Sequence, residues 1–117
     1  MKINIKSTDL KLTSSIEKYI NDKIKDLSNL IKSFEEKGEV FIYFEIARTT
    51  KHHKQGKVFY AEANVDLLGD SIRVEHTDED IRAAIDKVKD ILKRKITEVK
   101  EKKVDKKRET KRPGKPK

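Results

Sequence analysis

The chain contains no cysteine. That absence excludes disulfides, thiolate catalysis and cysteine-based zinc sites together. Glycine is scarce, four in 117 residues, and no glycine-rich phosphate loop can be assembled from them. No apolar run approaches the roughly 18–20 residues that a bilayer-spanning helix needs, so no membrane association is expected. The N-terminus, MKINIKSTDLKLT, lacks the apolar segment of a secretory signal, and a cytoplasmic protein is the default expectation. Hydrophobic residues make up only 34% against 43% charged. A core drawn from so few side chains must be compact and built from few elements, in one small domain.

Catalytic and metal-binding patterns are equally sparse. His52-His53 lies in a lysine-rich stretch and His76 at the end of an alternating one, and none is spaced as a ligand pair. No serine sits in a nucleophile-elbow context. Asp78, Glu79 and Asp80 form the one dense carboxylate cluster, and its place before an amphipathic run reads as helix capping. The expectation is a non-enzymatic protein with no catalytic residue, no metal and no cofactor.

What the chain has in excess is positive charge, and it is unevenly placed. Of the net +8, residues 1–99 supply 19 Lys/Arg against 18 Asp/Glu, whereas residues 100–117 supply 10 against 3. The near-neutral part is itself sorted, since Arg82 to Lys95 holds six cations and two anions. A cationic helix face followed by a basic, proline-bearing arm suits a polyanion, nucleic acid first. The reading divides the chain into a folded unit, 1–103, and a basic tail, 104–117. That tail has too little apolar surface to order by itself and is expected to be disordered when free.

Periodicity supplies the elements. Lys2–Lys6 alternates, with Ile3 and Ile5 on one face, as a strand does. Thr13 or Ser14 caps a helix, with Glu17 completing a capping box after Ser14. The stripe Ile16, Tyr19, Ile20, Ile24, Leu27 and Leu30/Ile31 carries that helix to about Ser33. Val40, Ile42, Phe44 and Ile46 alternate with polar and aromatic neighbours in a half-buried strand. Arg48–Lys57 reads as a loop. Phe59–Leu67 and Ser71–His76 are two further strands, joined by a tight turn at Leu68-Gly69-Asp70. Thr77 or Asp78 caps a last helix reaching Lys103, with the stripe Ile81, Ala84, Ile85, Val88, Ile91/Leu92, Ile96 and Val99. The order β-α-β-β-β-α predicts an α+β two-layer domain, a four-stranded sheet with both helices on one face.

Two surfaces are candidates for RNA. The open sheet face shows Tyr43 and Tyr60 among Glu45, Glu62 and Asp66. Those acids argue against an aromatic RNA platform, and a cross-strand Tyr43–Tyr60 pair on a solvated face is expected instead. The helices carry the cations. At 100° per residue, Arg82, Lys89, Lys93 and Lys100 share one edge of the last helix. Lys87 and Arg94 fall on the other edge, Lys95 lies nearer the stripe, and Lys102 follows them. Lys23 and Lys25 of the first helix border a groove whose charge Lys23, Lys87, Arg94 and Lys95 are expected to set. Ordinary helix-surface pairing, Asp86 with Arg82 or Asp90 with Lys93/Arg94, is the competing account of the same residues.

The strand MKINIKS, the helix TSSIEKYINDKIKDL and above all DEDIRAAIDKVKDILKRKI resemble the ribosome hibernation-promoting factor / ribosome-associated inhibitor family. Its closing pattern, D-M-x-x-A-I-D-x-x-x-x-x-L-x-R-Q, is matched by Asp80, Ile81, Ala84, Ile85, Asp86, Leu92 and Arg94 over a resemblance spanning about residues 1–103. Lys95 replaces the final Gln, while Ile91 and Glu98 stand where many members carry Lys. The resemblance implies a non-enzymatic factor that binds the small ribosomal subunit and its rRNA, competes with mRNA and tRNA in their channel, and blocks initiation in starvation. It also implies the short form, without the C-terminal dimerisation domain of longer members. Two other classes fit less well. A double-stranded or structured RNA-binding module would need cations where Asp78-Glu79-Asp80 stand. A protein-only interaction domain is the other alternative, and a steep salt dependence of ribosome or rRNA binding would separate it from the RNA reading.

Overall fold

The computed structural model describes residues 1–49 and 58–110, with side chains to Lys102. The elements run β1 (Lys2–Thr8), α1 (Ser14–Lys25), α2 (Ser28–Glu35), β2 (Phe41–Arg48), β3 (Phe59–Leu67), β4 (Asp70–Asp78) and α3 (Ile81–Thr110). The four strands form one sheet in the order β1-β2-β3-β4, with β1 parallel to β2 and the other pairs antiparallel. The α1–α2 segment is the crossover that a parallel β1–β2 pair requires.

Strand alternation sorts the side chains as the sequence pattern requires. Ile42, Phe44 and Ile46 of β2 and Ala61, Ala63, Val65 and Leu67 of β3 are buried on one face. Ile72 and Val74 of β4 join them there. Helix residues Ile20, Ile24, Leu27, Ile31, Ile85, Val88, Leu92 and Ile96 close the core from above with no exposure. Removing any of these large aliphatics to Ala costs about 2–5 kcal/mol. The β3–β4 hairpin pairs Leu67 with Asp70. Its two loop residues, Leu68 (φ 54) and Gly69 (φ 107), are left-handed, as tight hairpins of this length demand.

Four features depart from the sequence expectation. The helix expected over Ser14–Ser33 is two helices. The Leu27 N–H bonds the Ile24 carbonyl at 2.9 Å, a three-residue step that tightens the turn and starts a new helix at Ser28. Ile24, Leu27, Ile31 and Phe34 all stay buried across the break. The cap of α1 is Thr13, whose Oγ1 accepts from the Ile16 N–H at 3.2 Å, so the Ser14–Glu17 box is not used. At the other end, β4 runs on to Asp78 because Tyr60 and Phe59 pair with Thr77 and Asp78. The residue preceding α3 is therefore Asp80, not Thr77 or Asp78. Its carboxylate faces the Arg82 N–H at 3.4 Å, and its carbonyl accepts from the Ala84 N–H at 3.0 Å.

Helix α3 also passes the boundary at 103 and continues to Thr110. The composition of 104–110 forbids burial but not helicity. Lys, Arg and Glu are good helix formers, no Gly or Pro interrupts before Pro113, and extension from a packed stem needs no new nucleus. The stripe ends at half-buried Val99, so the helix continues about 16 Å beyond it. His52, His53 and most of the Arg48–Lys57 loop lie outside the described residues.

Candidate nucleic-acid interface

Helix α1 lies along one edge of α3, and the two run in the same direction. Ser15, Tyr19, Lys23 and Asp26 of α1 meet Arg82, Asp86 and Lys89 of α3 in ascending order. The spacing explains the match: 15, 19, 23 and 26 share one helical face, as do 82, 86 and 89.

Tyr19 is the hub of this seam. Its hydroxyl donates to Asp86 Oδ1 at 2.6 Å, and Lys23 Nζ reaches the same oxygen at 3.3 Å. The Lys23 ammonium stands 5.3 Å from the Tyr19 ring centroid and the Arg82 guanidinium 5.4 Å, both within cation–π range. Arg82 Nη2 also donates to Ser15 Oγ at 3.0 Å. The hydrogen bond to Asp86, with burial behind it, holds the Tyr19 phenol above its ordinary range. The same carboxylate raises the Lys23 ammonium, which stays fully charged at neutral pH. The Lys89 side chain is 17% exposed and brings its ammonium to 3.9 Å from Asp26 and 4.0 Å from Asp90.

Ordinary helix-surface pairing is present, but with partners other than those expected. Asp86 takes Lys23 and Tyr19 rather than Arg82, because the neighbouring helix offers a closer and partly desolvated partner. Asp90 lies near Lys89, not Lys93 or Arg94.

The cations singled out in the sequence divide into two sets. Lys23, Arg82 and Lys89 converge in the α1–α3 seam, and Lys93 and Lys100 continue that edge along α3. Lys25 is exposed near the end of α1. Lys87, Arg94, Lys95 and Lys102 project from the opposite flank of α3, more than 100° away by helical geometry, so they do not line a groove with Lys23. Lys87, Arg94 and Lys102 are exposed there and Lys95 half-buried. The seam edge from Arg82 to Lys100 measures about 27 Å, a length matched to several successive phosphates. Tyr19, Ser15 and Asp86 are the participants that sequence reasoning missed as a site. Tyr19 read as core stripe, yet a tyrosine at a stripe's edge has a hydroxyl to place, and that was the available signal.

The open sheet face differs from expectation too. Tyr43 pairs with Asn64 and Tyr60 with Ala47, so the two tyrosines are four positions apart along the β2–β3 ladder. Tyr43 stacks on Phe41 instead, and the Tyr60 hydroxyl shares its one proton between Glu62 at 2.6 Å and Glu75 at 2.9 Å. Burial and those two acids push the Tyr60 phenol far up. Burial alone would raise the Glu62 carboxyl; donors from Tyr60, Arg73 and Asn64 outweigh it and hold it below the ordinary value.

Ahead of α3, the Asp80 N–H donates to Asp78 Oδ1 at 3.2 Å and lowers that carboxyl, a local turn that leads into the cap at Asp80. Among the described residues no group of three or more His, Asp or Glu converges as a metal site, and no helix is long and apolar enough to cross a membrane.

Known proteins share this architecture. The N-terminal domain of Protein Y from Thermus thermophilus superposes with a TM-score of 0.67 at 29% identity, over 85% of this chain and 99% of that one. A ribosomal subunit interface protein from Coxiella burnetii, 14% identical over 86% of this chain and 98% of its own, shares the fold with a TM-score of 0.68. Two proteins named ribosome hibernation promotion factor match at 31% identity. The one from Picosynechococcus covers 92% of this chain and 53% of its own length, the one from Lactococcus lactis 86% and 50%. The chain thus spans about half the length of these curated relatives. Residues 3–104 match the model of the Sigma 54 modulation protein / S30EA ribosomal protein family, and the chain belongs to that family.

Proposed function

We propose that this chain is a ribosome hibernation factor, acting without catalysis or cofactor in the cytoplasm. It binds the small ribosomal subunit in the channel that mRNA and tRNA use, and blocks initiation by occupying it. The observation that carries this reading is the row of cations along the α1–α3 seam and its continuation on α3, in a chain of this family. Lysine and arginine heads there sit on packed helices, so phosphates meet a surface that is already ordered. Contacts of this kind position a protein without reading sequence. Specificity then comes from the fit of a rigid two-layer body to a folded rRNA cavity. In this reading residues 1–103 form the ribosome-binding unit, and the basic segment 104–117, helical to Thr110, adds long-range attraction.

Co-sedimentation with purified small subunits across a salt series tests the reading. With about six phosphates neutralised, affinity falls by about three orders of magnitude between about 50 and 200 mM salt. Binding that is indifferent to salt, or equal for the two ribosomal subunits, would overturn it.

A further inference from the structure

The sheet face turned away from the helices is organised around Tyr43. It is 49% exposed, the one large hydrophobic side chain so exposed among the described residues. Phe41, on the same strand face, holds the ring by stacking at 6.5 Å with planes 14° apart. The strand register places Asn4 and Asn64 directly beside Tyr43, and Arg73 beside Asn64. One row across the sheet therefore reads Asn4, Tyr43, Asn64, Arg73. It sets an aromatic ring between two carboxamides, with a guanidinium at the end. Two shallow depressions flank the ring. One, of ≈ 300 Å³, is rimmed by Asn4 and Lys6, and the other, of ≈ 230 Å³, by Asn64 and Arg73.

Of the acids on this face, Glu45, Glu62 and Glu75 share one adjacent row, and each of these three has taken protein donors. Glu62 accepts from Tyr60, Asn64 and Arg73, Glu75 from Tyr60 and Arg73, and Glu45 from Thr8 at 2.8 Å. Lys6, in that same row, has no ion-pair partner among the described residues. Each depression holds one acid: Glu45 borders the first, already accepting from Thr8 and with Lys6 beside it, and Asp66 borders the second as an exposed acceptor, so a phosphate fits the Lys6 side and a base amine the Asp66 side.

We propose that this row is a subsite for one unstacked nucleotide of single-stranded RNA. The base stacks on Tyr43, its hydrogen-bonding edge meets the Asn4 or Asn64 carboxamide, and its phosphate lies toward Lys6. Carboxamides both donate and accept, as a base edge requires, and an exposed ring offers the sequence-tolerant face on which single strands stack. The inference rests on the ribosomal reading only for the source of the RNA. Its ligand is a splayed single strand, whereas the seam meets phosphates of folded rRNA.

The test is side-chain NMR of the full chain, following the Asn4 and Asn64 carboxamides and the Tyr43 ring. Titrants are short oligoadenylate, oligouridylate, an RNA duplex and a lysine-proline peptide. The subsite predicts that single strands shift these three residues and the duplex does not. Tyr43→Ile, which keeps strand propensity, weakens single-strand binding about tenfold, and Tyr43→Phe stays within about twofold of wild type. Circular dichroism confirms that both variants are folded. Reversing charge at Lys23, Arg82 and Lys89 abolishes small-subunit binding but leaves the oligonucleotide response, so the two proposals fail separately. Single strands that shift only helix residues, a folded Tyr43→Ile that binds as wild type, or a face that answers the peptide and not RNA would overturn the subsite.

Discussion

Asp86 is a carboxylate set among the cations proposed to meet phosphate, so replacing it separates what holds the seam from what binds RNA. In Asp86→Asn the carboxamide still accepts from the Tyr19 hydroxyl, but the charge is gone. The Asp86 and Lys23 side chains are 43% and 32% exposed, which limits their ion pair to about 1 kcal/mol. The weaker hydrogen bond from Tyr19 adds a few tenths. A total near 1 kcal/mol lowers the melting temperature by about 5 °C in a domain of this size. Tyr19 should titrate closer to an ordinary phenol, since its hydrogen bond to Asp86 is the main cause of its raised value. Binding moves the other way. A phosphate about 6 Å from the former carboxylate loses about 0.7 kcal/mol of repulsion at the water limit, a factor of about three in affinity at low salt. The assays are thermal melting, ultraviolet titration of the phenol and co-sedimentation with small subunits. A folded Asp86→Asn that binds more weakly than wild type would refute this account and make Asp86 itself an RNA contact or the organiser of Lys23.

Triple replacement of Lys23, Arg82 and Lys89 by Glu should abolish co-sedimentation at moderate salt, whereas the same change at Lys87, Arg94 and Lys95 should weaken it less, and comparing the two assigns the dominant edge. Deleting Val104–Lys117 removes seven cations and two acids; it should reduce affinity and helical content while leaving the melting temperature within about 2 °C, since the last stripe residue is Val99 and surface changes count for little. Stability should fall as pH rises above 10.0, because the unfolded chain then releases the Tyr60 proton while the folded chain keeps it. It should fall again as pH drops below 4.5, where the depressed Glu62 carboxyl is protonated first in the unfolded chain; pH-dependent urea melts of wild type and Tyr60→Phe check the alkaline limb, which the variant should flatten. Gly69→Ala, at φ 107, should cost about 1–2 kcal/mol by chemical denaturation without altering binding.

Period-2 alternation was enough to delimit β3 at Phe59–Leu67, since every second residue there is buried and Leu68-Gly69 turns the chain. It could not show how far β4 runs, because Thr77 and Asp78 have no apolar signal and are held by pairing with Tyr60 and Phe59. The break after Asp26 was equally invisible: the stripe Ile24, Leu27, Ile31 keeps its spacing across it, and the tightened turn shows only in the bond from the Leu27 N–H to the Ile24 carbonyl. On α3 the two cationic edges follow from helical angles alone. Which of them faces α1 is a packing outcome, and it separates Lys23 from Lys87, Arg94 and Lys95. The Tyr19 hub joins residues 67 apart in sequence, beyond the reach of any local pattern. The row at Tyr43 needed the β1–β2 and β2–β3 registers before Asn4 and Asn64 could be seen beside it.

The central claim is that the chain and the translation ligands compete for one place. The direct measurement is equilibrium binding to small subunits that are vacant, loaded with mRNA alone, or loaded with mRNA and initiator tRNA, at one fixed salt concentration. The account predicts tight binding to vacant subunits and a loss of apparent affinity that grows with the concentration of mRNA and tRNA, as expected when only the unloaded subunit binds. Undiminished binding to fully loaded subunits would contradict channel occlusion.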